Sequence, residues 1–407
     1  MANSYYASGG CSNLPKEMIV KRKGKIQKFT EEQGWSNLPD ELLDIISRKI
    51  DFVSFFALSG VCKNWRRFYG NYWGEFMASQ AEPLLILKSP LLAKEECSFF
   101  SISESKGYKL LLPIHKGEME SSDEFWKPFL WFSSGYVIMQ STLKIWLINP
   151  FSRKEFHIPT ESPCQVLYTQ SNLVPSFDHA FLSFVVNSED FLVLGLSNMY
   201  SSNVFIYQSR SSNWVSYSIG ENQSRITDVA VFHQTVYAVT TKGTIGKLRL
   251  SFPNFKVLEL KNIPKNYLCD PKLVSTNEEL LVIDFILNKS LIIYRIDLSK
   301  KKWVRVHSLG DRALFVGKFM KGYALSNPSK WGYESNCVYY ISHLHSECCL
   351  YSMDCGPMRT VRCLYSVDGP TRTVHYYGNA ATSGHTHYPM AWCFPTIRDE
   401  IDYSLHI

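Results

Sequence analysis

The sequence predicts a small all-α module followed by a larger all-β domain built from four-stranded repeats. Apolar residues recur at three- and four-residue spacing between Trp35 and Phe68, which is typical of amphipathic helices. From Leu84 onward, short apolar runs separated by turn residues indicate strands instead. The aromatic content of 14% also favours strands over helical bundles for most of the chain.

The composition is that of a protein that can bury a core. Of 407 residues, 45% are apolar and 20% are charged; this length allows two to four domains, or one large repeat domain with a small companion. No run approaches the roughly 18 apolar residues that span a bilayer, and the first twenty residues lack the apolar stretch of a signal peptide. We therefore expect a soluble protein of the nucleus, the cytoplasm or both, whose eleven cysteines are reduced.

The positive charge is concentrated at the N-terminus. The net charge is +6, from 43 basic and 37 acidic residues. Residues 1–30 supply +5, because they contain six basic residues and a single acidic one, Glu17. We expect residues 1–33 to be a flexible basic tail, in which Lys21–Lys28 is either a nuclear-import signal or a solvated run. The remaining +1 is too small for a duplex-binding face, so neither a nucleic acid nor a membrane is expected as a partner.

The helical module has more apolar surface than it can bury. Pro39 suits a first helical position, and Asp40 and Glu41 favour the positive end of the helix dipole. A segment of about 40 residues is too small to cover all of its large apolar groups. It therefore either docks on the rest of the chain or presents the surplus to a partner. The apolar positions of its first helix are Leu38, Leu42, Ile45, Ile46 and Ile50.

Two strings in this module resemble the F-box, over roughly residues 34–75. They are Leu38-Pro39 followed by Glu41-Leu42-Leu43, and Val61-Cys62-Lys63-Asn64-Trp65-Arg66. The resemblance implies that residues 34–78 dock on the Skp-type adaptor of SCF-type cullin–RING ubiquitin ligases. It also implies an adaptor contact made by Leu38, Pro39, Leu42, Ile45, Ile46, Val61, Cys62 and Trp65. Ile50, Phe55 and Leu58 are instead expected to be internal core of the module.

The strand domain, residues 79–407, contains an internal repeat. Similar strand–turn–strand units, each with a bulky aromatic residue after the turn, begin at Phe205, Ile245 and Ile292, and Trp146 opens an earlier one. Their spacing of about 40–47 residues matches one four-stranded β-propeller blade, which predicts six or seven blades. Thr241-Lys242-Gly243 is a predicted hairpin turn in which glycine supplies a positive φ.

Several strings of this domain resemble the plant F-box-associated propeller family of the KIB type. The most distinctive runs from Leu309 to Gly317, and others are Asn149–Arg153, Val236–Val239 and Asn336–Tyr340. The resemblance covers most of residues 80–345 and implies the same propeller. Residues 346–390 depart from it, because Leu350–Val361 nearly recurs as Leu364–Val374, and we expect them to form an insertion.

Signals of catalysis are weak, and the sequence predicts no catalytic residue, cofactor or metal. The cysteines at 348, 349, 355 and 363 near His385 and His387 are ordinary thiols or a zinc site; the absence of a Cys-x-x-Cys pair favours thiols. Trp146, Trp214 and Trp303 occupy repeat positions and are expected to pack between blades. The target-binding residues are unknown, although the connections 91–130 and 160–180 and the insertion 346–390 are possible sources.

The resemblances to the F-box and to the KIB-type propeller imply a non-enzymatic substrate-recognition subunit of an SCF-type ubiquitin ligase, whose propeller binds a target protein. One alternative is a propeller scaffold or inhibitor that acts without ligase assembly. Another is a propeller enzyme, for instance a glycan-acting one, which requires paired acidic residues about 5–10 Å apart.

Overall fold

A computed structural model of the chain describes two compact units, residues 1–80 and 81–407. The described residues are 19–22, 25–28, 34–47, 49–50, 58, 61–79, 83–88, 96–101, 106–111, 129–140, 144–150, 154–160, 177–197, 203–219, 224–264, 268–286, 290–317, 320–342, 347–354, 356–361, 388–394 and 398–406. Within them, no helix has the length and apolar character needed to cross a membrane.

The described residues of the first unit form a short hairpin and two helices. Strands β1 (Ile19–Arg22) and β2 (Lys25–Lys28) pair antiparallel, in the segment where the sequence predicts a flexible tail. A 3-10 turn at Trp35–Asn37 precedes helix α1 (Asp40–Ser47), and helix α2 spans Lys63–Ser79. Helix α1 thus begins one residue after Pro39, whose carbonyl oxygen accepts hydrogen bonds from the Leu42 and Leu43 amides.

The described strands of the second unit fall into six groups along the chain. Groups 1 to 3 contain, in order, β3 (Leu84–Lys88), β4 (Glu96–Ser101) and β5 (Lys106–Leu111); β6 (Phe129–Ser133), β7 (Tyr136–Gln140), β8 (Lys144–Ile148) and β9 (Glu155–Pro159); and β10 (His179–Val185), β11 (Phe191–Leu196), β12 (Asn203–Gln208) and β13 (Asn213–Ser218). Groups 4 to 6 contain β14 (Ile226–Phe232), β15 (Thr235–Thr240), β16 (Ile245–Arg249) and β17 (Asn254–Val257); β18 (Lys272–Ser275), β19 (Leu280–Ile286), β20 (Ser290–Asp297) and β21 (Lys302–Val306); and β22 (Arg312–Gly317), β23 (Tyr323–Ser326), β24 (Cys337–Ser342), β25 (Glu347–Ser352) and β26 (Gly356–Val361). Two further strands, β27 (Tyr388–Cys393) and β28 (Glu400–Ile401), end the chain, with 3-10 turns at Pro328–Trp331 and Tyr403–His406.

Groups 2 to 5 are four-stranded antiparallel sheets in chain order. Groups 3 and 4 are joined through one parallel pair, Ser218 with Asn254, and β28 adds to the edge of β10. Group 6 differs, because its order is β23-β22-β24-β25-β26 and β22 runs parallel to β24.

The C-terminal strand β27 completes group 1, because it pairs antiparallel with β3. Strands of neighbouring groups lie side by side: β6 against β10, β11 against β14, β14 against β18, and β18 against β23. Strand β27 contacts both β6 of group 2 and β22 of group 6, so each group has neighbours on two sides. The second unit is therefore propeller-like, with a sheet for each successive group.

Most of the core lies between groups. Separate clusters of buried residues join groups 2 and 3, groups 3 and 4, groups 4 and 5, and groups 5 and 6. This arrangement agrees with the expectation that one four-stranded unit cannot bury both faces alone and must pack against its neighbours.

The predicted repeat corresponds to the third and fourth strands of groups 2 to 5. Trp214, Phe255 and Trp303 occupy equivalent register positions on β13, β17 and β21, and all three are buried. Trp146 lies on the third strand β8 instead, and the residue of group 2 at the shared position is Phe156. The predicted turn is confirmed, since Gly243 has φ of +74°.

Two predicted irregular regions contain regular strands. Part of the connection 91–130 forms β4 and β5, where Phe99 and Phe100 are buried. Part of the predicted insertion forms β25 and β26 of group 6, because its first copy pairs with β24 and buries Leu350. The second copy, Leu364–Val374, lies outside the described residues.

Candidate functional site

The helical module has a compact core of its own. Its buried residues come from both helices and the residues around them: Leu38, Leu42, Leu43, Leu58, Trp65 and Phe68. Half-buried side chains pack around this cluster, among them Ile50 and Tyr72, whose ring stacks on Phe68 at 5.0 Å. The expectation that Leu58 and Ile50 belong to the core is confirmed, whereas Phe55 lies outside the described residues.

Polar contacts fix the start of α1 against α2. The Trp65 indole Nε1 donates to the Trp35 carbonyl at 2.8 Å, and Asn64 Nδ2 donates to the Leu38 carbonyl at 3.2 Å. Arg67 reaches Asp40 at 3.3 Å, but both side chains are more than half exposed, so this ion pair adds little stability. The two indole and amide contacts tie down the chain that precedes α1.

Among the described residues of the module, three large apolar side chains are exposed. Trp35, Ile45 and Val61, hereafter the apolar trio, are 54%, 56% and 55% exposed. Single exposed apolar residues are common, but three on so small a unit form surface that a partner can cover.

The residues assigned to an adaptor contact differ in exposure. Ile45 and Val61 are exposed, and Pro39, Ile46 and Cys62 are half-buried. Leu38, Leu42 and Trp65 are buried in the module core. Sequence reasoning did not include Trp35, although it opens the segment. The buried members pack the helices together, and the exposed members form surface that a partner can contact.

In the second unit, the C-terminal segment 398–406 connects several strand groups. The Asp399 amide donates to Ser134 Oγ at 3.0 Å, and the Phe184 amide donates to the Asp399 carbonyl at 2.9 Å. Farther along, the Asp402 amide donates to the Gln234 carbonyl at 3.0 Å, and Lys321 forms a buried ion pair with the Asp399 carboxylate. The segment thereby links groups 2, 3, 4 and 6.

A cavity of about 550 Å³ lies beside this segment. Groups 4, 5 and 6 line it, with side chains that include His233, Thr276, Glu278 and Arg312. Burial opposes ionisation of the nearby Glu279, but hydrogen bonds from Arg312 at 2.7 Å and Arg295 at 3.0 Å outweigh it and lower the pKa of this carboxyl. The lining therefore carries both signs of charge, held largely within ion pairs.

A second buried polar cluster lies where groups 3, 4 and 5 meet. Asp228 is fully buried, 3.7 Å from His179, and accepts a hydrogen bond from the Leu273 amide at 2.8 Å. Burial raises the pKa of the Asp228 carboxyl to about 7, although Lys272 and the backbone hydrogen bonds lower it in part. Within the described residues, no group of three or more His, Cys, Asp or Glu side chains is arranged to hold a metal.

The chain is similar to two known families. The F-box domain family matches residues 35–68, and the KIB1-4 beta-propeller family matches residues 99–366. An F-box protein of Arabidopsis thaliana is 24% identical over 358 residues, covering 78% of this chain and 98% of that protein. An F-box/kelch-repeat protein of the same plant is 23% identical over 313 residues, covering 72% and 78%. The resemblances indicated by the sequence motifs are thereby confirmed.

Proposed function

Because this chain belongs to the KIB1-4 beta-propeller family and carries an F-box domain, we propose that it is the substrate-recognition subunit of an SCF-type cullin–RING ubiquitin ligase. The helical module binds a Skp-type adaptor, and the propeller binds a target protein. The chain contributes proximity: it raises the effective concentration of the target near the conjugating enzyme and performs no bond chemistry itself.

The exposure of the apolar trio is the observation that carries this proposal. Other residues form the core of the module, so Trp35, Ile45 and Val61 are not needed to fill it. Their exposed surface is therefore available to a partner. Burying such side chains on a partner's helices is favourable by about 25 cal/mol per Å² of apolar surface.

The proposed target-binding unit is a six-bladed ring closed by β27. The contacts between successive groups, and those of β27 with groups 2 and 6, support this count. Each group then serves as one blade, and the fifth strand of group 6 is an addition to its blade.

Adaptor binding is tested by substitution of the exposed trio members. Ile45→Asp with Val61→Asp places charge on the proposed interface while the buried core stays intact, so co-purification with a co-expressed Skp-type adaptor is expected to fall at least about tenfold. Ile286→Asp with Leu405→Asp is the matched control, because both residues are exposed on the other unit. Equal capture of the adaptor by both variants would contradict the proposed interface.

Target binding is tested separately by affinity capture under proteasome inhibition. The variant without adaptor binding is expected to keep its target, and the captured target is expected to carry less ubiquitin than the target captured by the intact chain. If the intact chain captures no adaptor but retains a partner through the propeller, it is a scaffold or inhibitor and the ligase proposal fails.

A further inference from the structure

The outer edge of groups 4 and 5 carries an unusual concentration of positive charge. Residues 254–264 and 297–307 contain six Lys or Arg and two acidic residues, a local charge of +4. All residues after position 30 together carry only +1, so this charge is segregated rather than spread. We name its central part the basic edge: Lys261, Lys300, Lys301, Lys302 and Arg305.

The backbone holds the basic edge together. The Lys261 amide donates to the Lys301 carbonyl at 2.8 Å, and the Trp303 amide donates to the Lys261 carbonyl at 3.0 Å. Lys261 therefore pairs in parallel with Lys302, which brings like charges onto adjacent segments. Trp303, at 3% exposure, anchors this part of β21 in the core between groups 4 and 5.

The positive charge of the basic edge is only partly offset within the described residues, where the Asp297 carboxylate interacts electrostatically with Lys300. The members of the basic edge make no ion pair there; Lys261, Lys300, Lys301 and Arg305 are exposed, and Lys302 is half-buried. The Asp297 carboxylate is occupied by its own turn, since it accepts from Ser299 Oγ at 2.7 Å and from the Lys300 amide at 2.9 Å. Repulsion between these neighbouring positive charges raises the free energy of the unbound surface, and an anionic partner relieves it.

We propose that the basic edge binds an extended acidic segment of the target protein; the identity of the partner as a target rests on the function proposed above. Strand β21 rises about 3.3 Å per residue and spans five residues, which suits a segment of about four to six residues. Two exposed apolar side chains, Val257 and Ile263, lie on either side of Lys261 along the chain and suit a polypeptide. The aromatic residue of the edge, Trp303, is buried and is not available for base stacking, which disfavours a single-stranded nucleic acid.

The test measures binding of a fluorescein-labelled hexaglutamate peptide to the full chain by fluorescence anisotropy. Lys261→Glu with Arg305→Glu is expected to weaken binding at least about tenfold, and a rise from 50 to 300 mM NaCl is expected to weaken wild-type binding strongly. Arg210→Glu with Lys330→Glu is the matched control: it changes the net charge equally at exposed sites of groups 3 and 6, and less than about a twofold change is expected. Lys261→Gln with Arg305→Gln keeps the test valid if charge reversal impairs folding, and an intermediate loss is expected.

Two results would overturn the inference. Equal weakening by the edge and control variants would show a response to net charge alone. Tighter binding of a six-nucleotide thymidine oligonucleotide, lost in the edge variant, would assign the surface to nucleic acid. Adaptor capture separates this inference from the proposed function, because the edge variants are expected to retain the adaptor. A chain that binds hexaglutamate through the edge but captures no adaptor would contradict only the ligase proposal.

Discussion

Asp228 is a buried carboxyl group whose protonation is coupled to folding. Its folded-state pKa of about 7 lies above the value near 3.9 of an unfolded chain, and burial is the cause. Between about pH 4 and 7 the folded protein therefore binds more protons than the unfolded chain. Stability contributed by the protonated group is present at low pH and is lost as the pH rises through 7.

Asp228→Asn is expected to reduce this pH dependence. Asparagine keeps an oxygen for the Leu273 amide but has no proton to lose, so the decline in unfolding free energy between pH 5 and pH 8 should shrink by about 2 kcal/mol. Urea unfolding midpoints at four pH values measure the effect. Glu278→Gln, at an exposed position, is the control and should leave the slope unchanged. An unchanged slope in Asp228→Asn would show that the carboxyl is ionised throughout.

At this scale the helical periodicity predicted which segment is helical but not which residues are buried. Positions 42, 45 and 46 fit one apolar stripe, yet the structure buries Leu42 and Leu43 and exposes Ile45. Helix α1 has only eight residues, so spacings of three and four residues fit more than one apolar face of it. They cannot show which face is buried. The choice depends on where α2 packs, which is tertiary information.

Among the elements, β11 shows how closely a side chain can approach a strand. Gly195 lies on β11, and a Cβ atom there would come within 2.4 Å of the Phe177 ring. That ring is buried and packs against Trp214 at 5.6 Å, so it has little room to move. A glycine is required at this point for steric reasons rather than for its backbone angles.

Gly195→Ala is expected to lower the unfolding free energy by about 1–3 kcal/mol through overpacking. Phe177→Leu removes the clashing ring, so the double variant should be more stable than the sum of the single effects predicts, by about 0.5–2 kcal/mol. Denaturant unfolding of the four proteins measures this coupling. Additive losses would indicate that the ring moves aside without cost.

Most strands of groups 3 to 5 could be predicted, but part of the element order could not. The strand–turn–strand units at Phe205, Ile245 and Ile292 are observed as predicted, because short apolar runs and turn signals define them locally. The parallel pairing of β22 with β24 has no such local signal, since it depends on where the chain returns after β23.

On the scale of the whole molecule, the pairing of β27 with β3 joins residues about 300 positions apart in the sequence. Local patterning predicted that a ring must close, but not that β27 pairs with β3 across this separation. The apolar trio and the basic edge are likewise consequences of packing, because which apolar or charged residues stay exposed depends on how the strand groups and helices cover the rest.

Trp392 is the residue through which closure is best tested. It lies on β27, is fully buried, and meets Phe315 of group 6 edge-to-face at 4.9 Å, so it contributes to the packing of groups 1 and 6. Trp392→Ala is expected to cost about 3–5 kcal/mol and to increase cleavage of the second unit by a nonspecific protease. Trp331→Ala is the matched control, since this half-exposed indole should cost less than about 1 kcal/mol. Similar losses for the two tryptophans would show that the ring does not depend on closure by β27.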